Sequence, residues 1–341
     1  MSSVKETARA AASVAGKSGD TILSVNDIVV EFPRGGKSGF RALNGVSFDL
    51  KQGETLGLVG ESGSGKSMTA LSLLSIVPLP GKIIQGSISL RGERIDNLPV
   101  NELRKIRGKR IGMVFQDPMT GLNPVRSIGG QLTESVLRHQ NVGKAEAEEI
   151  AFKALDDVGI PSARDRLKGY PHELSGGLRQ RVMIALALIN HPDVIIADEA
   201  TTSLDATIQA QILDVFRIRL AKATLIMITH DLGVAAEICD RIAVMYAGRI
   251  VELGTISQVL TNPKHPYTVG LLSAVPRFDV RRPKLVPIPG TPPTAEDIVR
   301  GCPFAPRCRH AQSKCEERPP LETVDDRLVA CWFPRGSSAA A

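Results

Sequence analysis

The run Thr55-Leu56-Gly57-Leu58-Val59-Gly60-Glu61-Ser62-Gly63-Ser64-Gly65-Lys66-Ser67 sets an apolar strand, a glycine-rich loop and the start of a helix in succession. Thr55 to Val59 is short and apolar, as a buried strand requires, and Ser67 to Ile76 has helical composition. Glycines let the loop backbone wrap close to phosphate oxygens, with successive N–H groups pointing inward. The helix behind it adds its positive N-terminal end. Gly60 to Ser67 is thus a complete phosphate-binding P-loop pattern. Ser62, Gly63, Ser64, Gly65, Lys66, Ser67 and Met68 are the expected nucleotide-binding residues. Lys66 is expected on the β- and γ-phosphates and Ser67 on Mg²⁺.

Downstream, Val194-Ile195-Ile196-Ala197-Asp198-Glu199 reads as a buried strand that delivers two acids to its end, about 130 residues after the loop. Asp198 suits the metal. Glu199 suits a general base that polarises the attacking water. Thr224 to Thr229 reads as a further buried strand, followed by His230 and Asp231. The C-terminal end of a strand is where α/β folds bind ligands, so His230 is expected at the γ-phosphate. Gln116, in Val114-Phe115-Gln116-Asp117-Pro118, is expected to contact Mg²⁺ or the water.

Further out, Ile22 to Phe32 and Ala42 to Leu50 read as two strands joined by a Gly- and Lys-containing turn, an antiparallel hairpin. Residues from about 92 to 175 carry Glu, Arg, Lys and Ala at helical spacing and predict an inserted helical subdomain. Val182 to Leu188 continues a helix. The alternation of strands and helices predicts an α/β fold with a mostly parallel sheet and helices on both faces. After about Ser273, Pro283, Pro287, Pro289, Pro292, Pro293 and Pro303 break any long element. Residues 21–275 are therefore expected to form the main domain and 276–335 a Pro- and Cys-rich extension. Residues 1–20 are rich in Ala, Ser and Gly and lack the apolar centre of a secretory signal, which predicts a disordered tail and a cytoplasmic protein.

At 43% hydrophobic and 4% aromatic, the core must rest on Leu, Ile, Val and Ala. The net charge of +6 is spread among mixed acids and bases, without the block of like charge that marks a nucleic-acid binder. Arg281, Arg282 and Lys284 form the densest basic cluster and read as a solvated linker. No apolar run reaches membrane-spanning length.

Leu174-Ser175-Gly176-Gly177-Leu178-Arg179-Gln180-Arg181 resembles the ABC signature, which other P-loop ATPases lack. Ser175 and two glycines open a helix there, making a second anion-binding N-terminus. In that family the signature closes over ATP held by a partner subunit, which implies a head-to-tail pair with two sandwiched nucleotides. The motifs follow the family's order over about residues 21 to 275: P-loop, Gln116, signature, Asp198-Glu199, Ser203-Leu204-Asp205, His230. The resemblance implies a P-loop ABC ATPase core with an antiparallel β subdomain and an inserted helical subdomain. It implies Ser175, Gly176, Gly177 and Gln180 acting in trans and Asp205 as the D-loop residue. Ser67, Gln116 and Asp198 are implied at Mg²⁺, and Glu199, His230 and Gln116 in catalysis. Phe32 is implied to stack on adenine, with Phe40 as its competitor.

The Gly60–Ser67 loop, the Leu178–Arg181 ending, Asn262-Pro263-Lys264-His265-Pro266-Tyr267-Thr268 and the tail are similar to ATPase subunits of bacterial dipeptide/oligopeptide importers. Met68 and Ala200 depart from the commoner Thr or Ser and Pro, at side chains not expected to touch phosphate. The resemblance implies ATP hydrolysis that drives peptide import, with nickel chelates or glutathione as alternative cargo. A soluble ABC ATPase acting on DNA or ribosomes is the alternative of another class, but such chains carry two ATPase domains or a long coiled-coil insertion. Implied partners are a second ABC ATPase subunit, often a different chain, two integral membrane permease subunits and, indirectly, an extracytoplasmic peptide-binding protein. Nucleic acid is not among them. The implied location is peripheral, on the cytoplasmic face of the inner membrane.

Cys302, Cys308, Cys315 and Cys331 are separated by five, six and fifteen residues, whereas Cys239 stands alone and reads as a core residue. A disulfide framework does not suit a cytoplasmic protein. The four read as metal ligands. Short Cys-x-x-Cys hairpins, frequent in structural zinc sites, are absent. A [4Fe–4S] cluster takes four thiolates at varied spacing. The importer resemblance also implies such a cluster, with Zn²⁺ as the alternative.

Overall fold

The computed structural model describes residues 19–34, 37–200, 206–219, 223–274, 287–293 and 300–336. The chain divides into two compact units, residues 1–96 with 229–341, and residues 97–228. The expected N-terminal tail and the expected boundary near residue 275 lie outside the described residues, except for Gly19 and Asp20 at the end of the tail and the segment just before the boundary.

In the first unit, β1 (Thr21–Arg34) and β2 (Lys37–Lys51) form the expected antiparallel pair. Leu23 and Val30 on β1 and Leu43, Val46, Phe48 and Leu50 on β2 are fully buried. Branched and aromatic side chains suit such a half-buried pleated surface. β3 (Thr55–Val59) is buried throughout, and α1 (Lys66–Leu73) begins where the loop ends. β4 (Lys82–Leu90) pairs with β1 and β5 (Glu93–Arg94) with β4. The hairpin thereby becomes a four-stranded antiparallel sheet in the order β2-β1-β4-β5.

The second unit contains α2 (Val100–Ile106), β6 (Ile111–Val114), α3 (Pro118–Gly121), α4 (Ile128–His139) and α5 (Lys144–Asp157). It continues through α6 (Ala163–Arg166), α7 (Gly176–Leu188), β7 (Val194–Asp198), α8 (Ala206–Arg219) and β8 (Thr224–Ile228). β6, β7 and β8 are parallel, with Ile111 opposite Val194 and Val194 opposite Thr224. β7 and β8 are buried at every position, which is why they read as unbroken apolar runs. Ser127 starts α4 by accepting the Gly130 N–H. Ala147, Ala151 and Leu155, four residues apart, form the buried stripe by which α5 packs on α4.

The chain then completes the first unit with α9 (Leu232–Ile238), β9 (Arg241–Tyr246), β10 (Arg249–Thr255), α10 (Ile256–Thr261) and α11 (Pro266–Ser273). The last strands are β11 (Glu322–Val324) and β12 (Arg327–Val329). β9 is parallel to β3, and β10, β12 and β11 add to it antiparallel in that order. The Pro- and Cys-rich tail therefore contributes two short strands to this sheet. Asp325 and Asp326 turn between them at φ 47° and 59°, the left-handed conformation a two-residue hairpin uses.

Two buried ion pairs fasten this sheet. Glu54, ahead of β3, meets Arg241 of β9 at 2.9 Å. Glu252 of β10 accepts the N–H groups of Lys264 and His265, each at 2.9 Å, and faces Arg327 of β12 at 3.4 Å. Arg327 also donates to the carbonyls of Gln258 and Asn262.

Candidate active site

The loop between β3 and α1 turns on left-handed Gly60 (φ 153°), Gly63 (φ 77°) and Gly65 (φ 103°). Gly60 allows the closest approach, since a Cβ there would lie 2.2 Å from the Met245 carbonyl oxygen. Lys66 is buried, and its ammonium donates back into the loop, to the carbonyls of Gly60 at 2.8 Å and Glu61 at 3.0 Å. Those carbonyls hold the cation inside the loop. Ser64 Oγ is buried and has no hydrogen-bond partner among the described residues. Such a group costs about 1–3 kcal/mol, which a ligand oxygen would recover. Ser62 and Gly63 form an exposed lip, with Ser67 and Met68 half-buried. Phe32 and Phe40 stack on one another, with ring centroids 5.0 Å apart and planes 3° from parallel, so both aromatics expected at adenine form one face. His230 is exposed ahead of α9, whose N-cap Asp231 accepts the Gly233 N–H at 2.7 Å.

In the second unit, Asp198 is buried at the end of β7. Glu199 follows at φ 46°, a left-handed conformation rare for a non-glycine residue, with its N–H bonded to the Ile228 carbonyl at 2.9 Å. Strain of this kind, about 1–3 kcal/mol, concentrates at functional positions. Gln116 Nε2 donates to Glu199 Oε2 at 2.9 Å. Two residues expected to share a role, 83 positions apart, are thus brought into direct contact.

Ser175 caps α7 by accepting the Leu178 N–H at 3.4 Å. Ser175 and Gly176 are exposed, and a Cβ on Gly176 would meet no other atom within 4 Å. This helix end is thus open to solvent, and the first N–H groups of a helix are the ones without a partner inside it. At Gly177 a Cβ would lie 2.6 Å from Ile208 Cγ2, so glycine is a packing requirement there. Gln180 is 2% exposed. Asp205, with Ser203 and Leu204, lies outside the described residues.

Cys302, Cys308, Cys315 and Cys331 line one pocket together with Phe304 and Trp332. Burial pushes the Cys302 and Cys308 thiols up, and Cys331 up to about 11, and neighbouring thiols add to each shift. Their ligation of a metal is not seen: among the described residues no group of three or more His, Cys, Asp or Glu side chains is set to hold a metal ion.

The family model described as ABC transporter matches residues 43–202, and that of the oligopeptide/dipeptide transporter C-terminal region matches residues 251–315. The oligopeptide transport ATP-binding protein OppD of Escherichia coli (strain K12) is 50% identical over 320 residues, which cover 92% of this chain and 94% of that protein. The chain belongs to the ABC transporter ATP-binding proteins. The dipeptide transport ATP-binding protein DppD of Bacillus subtilis (strain 168) is 47% identical over 319 residues, covering 92% of this chain and 95% of that one. A dimeric ATP-binding cassette solved in a post-hydrolysis state with ADP and Pi has a TM-score of 0.60 and 27% identity, over 69% of this chain and 99% of that chain. A dimeric bacterial ABC transporter cassette gives a TM-score of 0.61 at 26% identity over the same shares. This ABC protein has the α/β cassette fold, and it is an ATPase.

Within the ABC ATPase, the residues without a motif are those that hold the loop from outside. The Tyr267 hydroxyl accepts the Glu61 N–H at 2.8 Å, and Arg307 pairs with the Glu61 carboxylate at 2.7 Å. Tyr267 falls within the Asn262–Thr268 run, whose composition carries no chemistry of its own. Arg307 stands among prolines and cysteines with nothing to mark it. No helix among the described residues is long and apolar enough to cross a membrane.

Proposed function

We propose that this ATPase powers the uptake of oligopeptides or dipeptides as one of two ATP-binding subunits docked on membrane permeases. The observation that carries this reading is likeness to the oligopeptide and dipeptide transport proteins along 92% of the chain, C-terminal region included. In this reading Lys66 and the loop N–H groups, with Ser62 to Met68, hold the phosphates, and Phe32 with Phe40 meets adenine. Ser67, Asp198 and Gln116 would hold Mg²⁺, which would supply positive charge against that of the phosphates. Glu199 accepts the proton of the attacking water, and Gln116 holds its carboxylate in place. His230 contacts the γ-phosphate. Ser175, Gly176 and Gly177 serve the ATP of the partner subunit, and Asp205 is the D-loop residue of this reading; Gln180, expected among them, is 2% exposed and packs inside its own chain instead. The chain works at the cytoplasmic face of the membrane, supplied by an extracytoplasmic binding protein.

The test is uptake of labelled di- and oligopeptides by membranes that contain the cognate permeases, with and without this chain. Uptake of a nickel chelate or glutathione in place of peptides would replace the cargo. Failure to co-purify with membrane subunits in detergent would favour a soluble ATPase.

The thiol pocket supports a second element of the proposal. Its four cysteines match the donor set of a [4Fe–4S] cluster, and Zn²⁺ takes the same set. An anaerobic preparation should be brown and contain iron and sulfide. A colourless protein containing zinc would sink the cluster.

A further inference from the structure

Glu61 is the second residue of the P-loop pattern, and none of the roles above uses its side chain. All of its polar groups are nevertheless engaged. Its N–H donates to the Tyr267 hydroxyl at 2.8 Å. Its carbonyl accepts Lys66 Nζ at 3.0 Å and the Ser64 N–H at 3.2 Å. Its two carboxylate oxygens accept Arg307 Nη1 at 2.7 Å and Nη2 at 3.1 Å. This parallel pair is the most directional form of an arginine–carboxylate contact.

Arg307 is fixed on its other side as well. Its side chain is 5% exposed. Nε donates to the Pro289 carbonyl at 2.9 Å, and Nη1 reaches the Tyr246 hydroxyl at 3.3 Å. The rings of Tyr246, Tyr267 and Phe304 pack on one another at centroid distances of 4.6, 5.3 and 5.5 Å. The guanidinium thus sits in a rigid, largely apolar seat, where Glu61 supplies its counter-charge. The residue whose carbonyl holds Lys66 is braced from outside the loop.

We propose that Arg307 is a positioning residue for ATP binding: through Glu61 it holds the P-loop in the shape in which Lys66 and the loop N–H groups meet phosphate. The proposal rests on reading residues 60–67 as the ATP-phosphate loop. Arg307 ends a one-turn 3-10 helix, Ala305–Arg307, between Cys302 and Cys308. The C-terminal extension therefore sets the ATP affinity of this chain. Had Arg307 only fastened the extension, its loss would lower stability and leave affinity unchanged.

The test measures equilibrium binding of a fluorescent ATP analogue with Mg²⁺, steady-state ATPase and thermal unfolding, all on the full chain. Arg307→Ala should weaken nucleotide binding and raise KM by about fivefold to tenfold, with kcat changed less than about twofold. Arg307→Lys keeps the charge but not the fork and should fall between. Glu61→Gln should reproduce the loss, and the double variant should be no weaker than Arg307→Ala, because the two act as one unit. Affinity within about twofold of wild type in folded Arg307→Ala overturns the proposal, given that a lost charge-assisted fork should exceed that. If Arg307→Ala does not fold, the same outcome in Glu61→Gln overturns it. Lys66→Ala should abolish binding. If it does not, the loop reading falls and the proposal with it. If it does while Arg307→Ala and Glu61→Gln bind normally, the brace alone falls.

Discussion

Glu199 combines a left-handed backbone with a carboxylate held by Gln116. In the proposed mechanism, replacing the carboxylate by an amide removes the proton acceptor and little else. Glu199→Gln should lower ATP turnover by roughly 10²–10⁴-fold while nucleotide binding persists. Undiminished phosphate release would remove Glu199 as the base. Cys239 offers a different residue-scale test. Burial, and then the charge of Asp240, pushes its thiol up to about 12. A thiol with a raised value stays protonated, hence unreactive, at every pH well below that value. Iodoacetamide at pH 8 should label Cys239 only after denaturation, as peptide mapping would show. Labelling in the native protein would contradict its place in the core. The proposed roles of Lys66, Asp198 and Glu199 are readable from short motifs with fixed offsets, and that of Gln116 only from the order of motifs in the family. Arg307 and Tyr267 were not, because their partner Glu61 is 246 and 206 positions away and no local pattern records such a contact.

At the scale of the element, legibility followed length. β3, β7 and β8 are five-residue buried runs and announce themselves. β11 and β12 have three residues each and lie among prolines and cysteines, so their pairing emerges only in three dimensions. What β12 does is nonetheless energetic. Its Arg327 faces the fully buried Glu252 of β10. Arg327→Met should cost about 3–5 kcal/mol, since it leaves a buried charge without its partner. A urea midpoint unchanged from wild type would contradict that assignment. α7 depends on a local device. Ser175→Ala should cost about 1 kcal/mol through the lost cap. If Ser175 also serves a partner's ATP, turnover should fall far more than that stability loss explains, as a comparison of denaturation with ATPase rates would reveal.

The fold of the whole molecule was open to reading because the P-loop, signature and acidic strand end occur in one order. Its division into units was less so: the helical composition from about residue 92 foreshadows the break at 96, but nothing in composition marks residue 228. An exposed Ser175 and Gly176 on a chain that belongs to the ABC proteins predicts ATP-dependent pairing. The Glu199→Gln chain with ATP should double in mass by light scattering, alone or on addition of the second ATP-binding subunit. Monomers under both conditions would contradict action in trans.

The first unit is assembled from the two ends of the chain, whereas the second is one unbroken segment. On the ribosome the second can therefore be completed first. The strand that leads into the P-loop must wait for a partner segment 185 residues later, as the contact of Thr55 with Asp240 records. At typical synthesis rates that delay is roughly ten to forty seconds. Glu252 waits a further interval for Arg327, 75 residues on. A nascent chain of this protein thus carries an unsupported nucleotide loop for most of its synthesis, and a message that ends before Arg327 should yield a product that quality control removes rather than a weakened ATPase.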